Sequence, residues 1–388
     1  MKLVLIRPPL DFKSKEEMLT LASEKSADAA PLHLMQQPLL PVILDREGMP
    51  LWLPNQFLAH VTVRSRSATG DTARTYGESL LSWLRFQSNA KFETQDTTEE
   101  HLALFRNFLA NEAKSDGRRL YSPATVNMRV TAVECFYVWA HKRALICSPL
   151  GKFLVYRATT SEYGWSGRSR PRRNDSLRVG LIQRLPRVLS FEEISRLFVV
   201  ARNPYKLMFR WGLVTGLRSF EVCSLRRSSL AAPTQITARD MALVPIEIVR
   251  KGGKFTTAYA PAALVEETHW YCLTERRVQA IPAYSDFVFL NRDGLPCTRN
   301  SLSREFRRCA DQIGSNATLH HLRHTFAILT LGMLESQKDP SRPINSVKVV
   351  QTLLGHSNVT TTEIYLRALD VSTDEVKESL DFLYGATL

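Results

Sequence analysis

The sequence predicts a mainly α-helical chain of two domains with one small antiparallel β-hairpin in the second, an α+β architecture. Three observations carry this. Between Asp71 and about residue 150, apolar residues recur at helical spacing behind recognisable cap residues. A strongly basic stretch then separates two blocks that can each bury a core. In the second block the clearest strand signal is Ala242 to Val249, which ends at Arg250-Lys251-Gly252-Gly253-Lys254 and resumes from Phe255 to Ala260, the pattern of a hairpin with a glycine turn.

The bulk numbers fit that reading. A chain of 388 residues has room for two or three domains, and 44% hydrophobic residues are ample for their cores. The opening Met1-Lys2-Leu3-Val4-Leu5-Ile6 meets Arg7 and Pro8-Pro9 before a signal-peptide core can form, and no apolar run approaches a membrane span. A cytoplasmic protein without membrane attachment is expected. Six cysteines, at 135, 147, 223, 272, 297 and 309, show no metal-ligand spacing, so reduced thiols are expected, with neither disulfide nor zinc. The formal net charge of +13 favours a polyanionic partner. Nine basic residues lie between Gly151 and Arg187 against Glu162 and Asp175 alone. Such a block is either a solvated linker or a phosphate-contacting one, and Arg168, Arg170, Arg172 and Arg173 are its candidate contacts.

Taken in order, residues 1–66 form an N-terminal extension of short extended pieces punctuated by prolines, an arm or a stabilising segment. Residues 67–150 form a helical bundle. Asp71 is expected to cap its first helix, with Tyr76, Leu80, Trp83 and Leu84 along one face. Thr97-x-x-Glu100 reads as a capping box, and Ser122-Pro123 as an N-cap followed by proline at the first helical position. Tyr76, Trp83, Phe136 and Trp139 fall on the buried stripe and read as core. Residues 151–186 are the basic linker. In 187–370, Ser190-Phe191-Glu192-Glu193 is a second capping box. Arg218 follows Gly216, and Glu221 stands one turn on, placed to orient it. Arg304, Arg307 and Arg308 share a predicted helix, as phosphate contacts or as a wet face. Thr360-Thr361-Thr362-Glu363 is expected to cap the helix of Tyr365. Residues 371–388 read as a short amphipathic helix.

The chemistry concentrates in Thr215-Gly216-Leu217-Arg218-Ser219-Phe220-Glu221, Leu319-His320-His321-Leu322-Arg323-His324-Thr325, Leu354-Gly355-His356 and Tyr365. Two arginine forks, two histidines and a phenol suit a phosphodiester. Arg218 and Arg323 can each offer paired N–H donors to the non-bridging oxygens, and Tyr365 can supply an oxygen nucleophile. Ionising a free tyrosine at neutral pH costs about 4 kcal/mol. One guanidinium within about 4 Å offsets a similar gross amount at an effective dielectric near 20. His320, His321 and His324 do not form a zincin motif, since His321 stands where that motif needs glutamate; no metal is expected, and His321 and His324 read as packing or backbone-bonding residues.

These residues resemble the tyrosine recombinases, the phage-integrase and Xer-type strand-exchange enzymes. The resemblance rests on Arg218 in Thr-Gly-Leu-Arg-x-x-Glu, His320-x-x-Arg323, Leu-Gly-His356, and Tyr365 nine positions after that histidine. It implies a two-domain DNA clamp: residues 67–150 grip one face of double-stranded DNA as the core-binding domain, and the catalytic domain takes the other. It also implies a role for Lys251, or else Lys254, on the hairpin as the acid that protonates the leaving 5′ oxygen. His320 would assist proton transfer or hold the phosphate, and His356 would donate a hydrogen bond to it. No cofactor is implied, because the covalent link conserves the bond energy. A tetramer on paired recombination sites is implied, with possible co-encoded partner proteins and a C-terminal helix that docks on the next protomer. The expected role is movement of a bacterial mobile element by a nucleoid-associated enzyme. The rivals are a Xer-like enzyme that resolves replicon multimers and a catalytically silent architectural protein on the same scaffold.

Overall fold

The computed structural model describes residues 1–6, 39–65, 70–160, 177–181, 185–238, 242–250, 254–336, 345–356 and 359–371. The chain divides into two compact units, Met1–Ile182 and Gln183–Leu388.

The first unit opens with an antiparallel pair, β1 (Lys2–Ile6) and β2 (Leu40–Leu44). Helix α1 (Trp52–Arg64) follows, where the sequence suggested only extended pieces. Pro54 does not prevent it, because the N–H groups of a first turn have no intrahelical acceptor to lose. Asn55 pins this helix to β2: its side-chain oxygen accepts from Ile43 N at 2.7 Å and its amide donates to Ile43 O at 3.0 Å. The described part of the extension thus shares a core with the bundle, Ile43, Phe57 and Leu58 being fully buried beside Trp83, Phe105 and Phe136. Each such side chain contributes on the order of 1.5–3 kcal/mol on leaving water.

The bundle comprises α2 (Asp71–Ala90), α3 (Glu99–Asn111), α4 (Pro123–Lys142) and α5 (Pro149–Thr160). Two expected caps shift by one residue. Asp71 is the first residue inside α2, and Gly70 occupies the cap position. The box on α3 is Thr98 with His101, while Thr97 is buried, its hydroxyl 2.8 Å from that of Tyr137. Sequence spacing fits either threonine; burial selects the second. Ser122 caps α4 as expected, its hydroxyl accepting from Thr125 N at 3.2 Å. The expected linker is partly built into this unit. Helix α5 takes its first ten residues, Leu177 is buried in the bundle core, and Asn127 exchanges two hydrogen bonds with Val179. Arg157 and Arg178 both pair with Glu134, so two of the nine basic side chains are structural.

In the second unit, α6 (Phe191–Val200) begins with the Ser190–Glu193 box, Glu193 N donating to Ser190 Oγ at 3.1 Å. Next come α7 (Tyr205–Thr215), the single turn α8 (Ser219–Cys223), and α9 (Pro233–Ala238). Strands β3 (Leu243–Arg250) and β4 (Lys254–Pro261) form the hairpin, in register from Leu243↔Pro261 to Arg250↔Lys254. Helices α10 (Ala262–Thr274), α11 (Arg299–Gln312), α12 (Leu319–Ser336), α13 (Ser346–Leu354) and α14 (Thr360–Val371) complete the described chain. Trp211, Phe209, Phe289 and Phe306 fill one core between α7, the hairpin and α11, and a second cluster joins α12, α13 and α14 around Ala327, Leu331, Val350 and Leu354. No helix among the described residues is long and apolar enough to cross a membrane.

Gly216 ends α7 in the left-handed region, at φ +65°, and a Cβ there would lie 2.4 Å from Phe326 Cδ1 and 2.8 Å from Leu354 Cδ2. Gly216→Ala is therefore expected to lose about 2–4 kcal/mol of stability, the sum of left-handed strain and overpacking. Urea denaturation checks this; an unchanged midpoint would remove Gly216 from the set of constrained positions.

Candidate active site

The turn after α7 places Arg218 at the cap position of α8, and Glu221 holds it there. The Glu221 carboxylate accepts from the Arg218 backbone N–H at 2.8 Å and from its Nη1 at 3.0 Å. Glu221 is 1% exposed at its side chain while that of Arg218 is 37% exposed. The carboxylate thus aims the guanidinium from behind and leaves part of it open to a ligand, as its spacing predicted.

Helix α12 presents His320 and Arg323 one turn apart. Arg323 is 3% exposed. Its Nη1 donates to Gly216 O, and its Nη2 donates to Leu354 O at 2.9 Å and lies 2.9 Å from His356 Nε2. Burial lowers its pKa to about 10, with Arg218 acting in the same direction and Glu221 opposing; it remains a cation at neutral pH. A guanidinium only donates, so His356 Nε2 is the acceptor in that contact. The His356 proton therefore sits on Nδ1, 2.9 Å from Thr362 Oγ1. The sequence reading had His356 donating to a phosphate. In this arrangement it accepts instead, and donation through Nε2 requires the tautomer to reverse, which the Thr362 hydroxyl permits because it can serve as donor or acceptor.

Tyr365, on α14, is 3% exposed. Its hydroxyl lies 3.1 Å from His324 Nδ1, and its ring is stacked with that of His356 at 6.2 Å between centroids. Burial raises the phenol pKa, opposed by the charges of Arg323 and Arg218. The two arginines thus act in the expected direction, and burial is the larger influence on this phenol. Arg218, His320 and Arg323 line one cavity of about 330 Å³, together with Arg307, Ser219 and Thr318. Three of the expected residues thus surround one space; His356 joins Arg323 and Tyr365 joins His324, and neither of the two lines the cavity.

The other candidates divide. Lys251, Arg168, Arg170, Arg172, Arg173 and the C-terminal segment from residue 372 lie outside the described residues, as does the side chain of Lys254. Arg307 borders the cavity and pairs with Asp311 at 2.6 Å; Arg304 borders a separate groove with Arg202, Arg292 and Arg308. Thr362 does not cap α14 with its side chain but orients His356. His321 bonds backbone as expected, its Nδ1 accepting from Thr318 N at 2.9 Å. His324, expected to pack or to bond backbone, instead holds the nucleophile candidate.

Arg250 was missed. Its Nε donates to Thr256 Oγ1 at 2.7 Å, its Nη1 donates to Leu354 O, and Nη1 lies 3.9 Å from Glu221. It ties the hairpin to the His356 turn, where Gly355 sits at φ +61° and a Cβ would overlap the guanidinium. A signal was present: Val244, Ile246 and Ile248 are the inward residues of β3, and Arg250 continues their period of two.

Burial lowers the pKa of His324 to about 4 and that of His356 to about 3. Both folded values lie below the ordinary unfolded value near 6.5. The unfolded chain therefore takes up protons first as pH falls. The stability these neutral imidazoles contribute is complete above about pH 6.5 and drains away between about pH 6.5 and about pH 4. Denaturation midpoints measured at about pH 7.5 and about pH 5 should show the second unit weaker at the lower pH; His356→Gln should shrink the difference and leave the share of His324.

Residues 187–371 match the phage integrase family model. A XerC tyrosine recombinase from Roseiflexus castenholzii is 25% identical over 320 residues, covering 80% of this chain and 86% of the relative. A XerA tyrosine recombinase from Pyrococcus horikoshii is 28% identical over 208 residues, covering 51% and 61%. Among solved structures, the XerH recombinase bound to a palindromic difH substrate superposes with TM-score 0.57 at 19% identity, covering 88% of this chain and 92% of that one. A lambda integrase dimer bound to a COC′ core site gives 0.53 at 15%, covering 81% and 93%; both likenesses concern the fold. Arg218, His320, Arg323, His356 and Tyr365 all fall inside the matched segment, and that segment, residues 187–371, belongs to the phage integrase family of tyrosine recombinases.

Proposed function

We propose that this chain breaks and rejoins double-stranded DNA at specific sites through a 3′-phosphotyrosyl link to Tyr365, and that it moves a bacterial mobile element. The observation that carries the reading is the single cavity bordered by Arg218, His320 and Arg323, with the Tyr365 hydroxyl held by the same helix that presents two of them. A phosphodiester in that cavity would meet the exposed side of Arg218 and the Arg323 donors left over from Gly216 and Leu354, an arrangement suited to the added charge of a pentavalent phosphorus. Lys251 would protonate the leaving 5′ oxygen. That hydroxyl, or its counterpart on a second duplex, later attacks the phosphotyrosine in reverse. A tetramer on two paired sites would supply the four cleavages. DNA-bound neighbours among the solved structures support the choice of partner.

The test is a nicked suicide duplex carrying candidate sites from the ends of the element that encodes the chain. A covalent protein–DNA adduct at those sites, and none on unrelated sequence, is the expected result; binding without an adduct would leave only an architectural protein. Multimer resolution is favoured by the Xer names of the sequence relatives. Conversion of plasmid dimers to monomers, with no joining of element ends to a target, would select it instead.

A further inference from the structure

The reaction proposed above requires the phenol of Tyr365 to lose its proton inside a buried pocket, and His320, the residue expected to assist proton transfer, makes no hydrogen bond to that phenol among the described residues. His356 has neither nitrogen free, since Nε2 accepts from Arg323 and Nδ1 faces the Thr362 hydroxyl. Arg323 and Arg218 set positive charge beside the phenolic oxygen. That charge turns the O–H of Tyr365 away from the arginines, and His324 Nδ1, the hydrogen-bond partner of the phenol, stands 3.1 Å away. We propose that His324 is a further catalytic residue, the group that accepts the Tyr365 proton as the phenolic oxygen attacks phosphorus.

The geometry supplies what such a group needs. His324 lies one residue beyond Arg323 and one turn beyond His320 on the same helix, its ring edge-on to that of His320 at 4.4 Å between centroids. The charged and titratable groups around it are His320, His321 and Arg323 from its own helix, Tyr365 from α14, and His356, which stacks on the far side of Tyr365. Burial and these neighbours keep the imidazole neutral at working pH, so Nδ1 carries a lone pair and Nε2 the hydrogen. In the cleavage step the Tyr365 O–H bond breaks and its proton passes to Nδ1. The freed electron pair forms the oxygen–phosphorus bond. The bond from phosphorus to the 5′ oxygen breaks, and that oxygen keeps its electron pair and takes a proton from the acid, Lys251 in the reading above. The cation that forms on His324 coincides with the extra negative charge on phosphorus, which offsets it. Rejoining runs in reverse, with His324 returning the proton to the departing phenolate.

The assignment rests on the recombinase reading, and the experiment separates the two. Adduct formation is timed for the parent, His324→Ala, His324→Gln and Lys251→Ala on ordinary suicide DNA and on DNA with sulfur in place of the leaving 5′ oxygen, from about pH 6 to about pH 9. Sulfur leaves as a thiolate and needs no proton, so it bypasses the acid and not the acceptor. Both His324 variants should bind DNA as the parent does and cleave roughly 100-fold or more slowly on either substrate. Their rates should climb about tenfold per pH unit, because phenolate must form before attack, while the parent stays flat. Lys251→Ala should recover on the sulfur substrate. Rates within about threefold of the parent, a parent-like flat profile in the slow variants, or rescue by sulfur would each overturn the role of His324; His324→Gln keeps a polar side chain in place should the alanine variant fold poorly. A parent that forms no adduct overturns the recombinase reading itself and this assignment with it.

Discussion

Tyr365→Phe should bind its DNA sites with the affinity of the parent and form no adduct. The substitution removes one oxygen from a side chain that is 3% exposed and packed in the α12–α13–α14 cluster, so the ring contacts, including the stack on His356, remain. What is lost is the hydroxyl held by His324. Leaving His324 Nδ1 without that partner costs about 1–3 kcal/mol of stability, too little to unfold a domain with this core. The effect on chemistry is of a different order. With no oxygen to attack phosphorus the covalent route is closed, and loss of a nucleophile from a comparable covalent enzyme costs roughly 10⁶-fold in rate. Suicide-substrate trapping and a gel-shift titration on the same preparation measure both quantities. Adduct persisting in the phenylalanine variant would mean that another side chain attacks, and the cavity would need a different nucleophile.

The residues of this candidate site stand out in the sequence through motifs that resemble a known family's, and the unread part has a common cause. Arg218, His320, Arg323, His356 and Tyr365 stand in motifs whose local geometry is fixed by their own turns: Gly216 before Arg218, one helical turn between His320 and Arg323, Gly355 before His356. The roles of His324, Arg250 and Thr362 depend on contacts across 41, 104 and 6 residues respectively, and the chemistry of each alone is ambiguous. A histidine after an arginine, an arginine at a strand end and a threonine at a helix start all have ordinary surface explanations. The same limit explains the misplaced cap at Thr97: two adjacent threonines offer the same hydroxyl, and only the buried contact with Tyr137 decides which one turns outward. The helix Trp52–Arg64 escaped for a local reason, because the prolines upstream of it set the reading of the whole extension, and Pro54 sits in a first turn, where it costs nothing.

Arg323→Lys should damage the fold as well as the reaction, and Arg218→Lys the reaction alone. The Arg323 guanidinium spans Gly216 O on one side and Leu354 O and His356 Nε2 on the other, joining the turn that carries Arg218 to the turn that carries His356. A lysine ammonium is a single nitrogen on a shorter stem and cannot donate in both directions. At least one buried carbonyl or imidazole nitrogen loses its partner, at about 1–3 kcal/mol each, and a buried cation keeps poorer compensation, so a total near 3–5 kcal/mol is expected. Arg218 faces the cavity with its side chain 37% exposed and leans on Glu221, which a lysine can still reach. Its replacement should cost under about 1 kcal/mol of stability. Both variants lose a fixed fork beside the phosphate and should cleave roughly 100- to 1000-fold more slowly. Urea midpoints and adduct rates for the two variants therefore give a paired result, similar in rate and separated in stability. Coincident midpoints would mean that Arg323 does not join the two turns, and the preorganisation ascribed to it here would have to come from Arg250 alone.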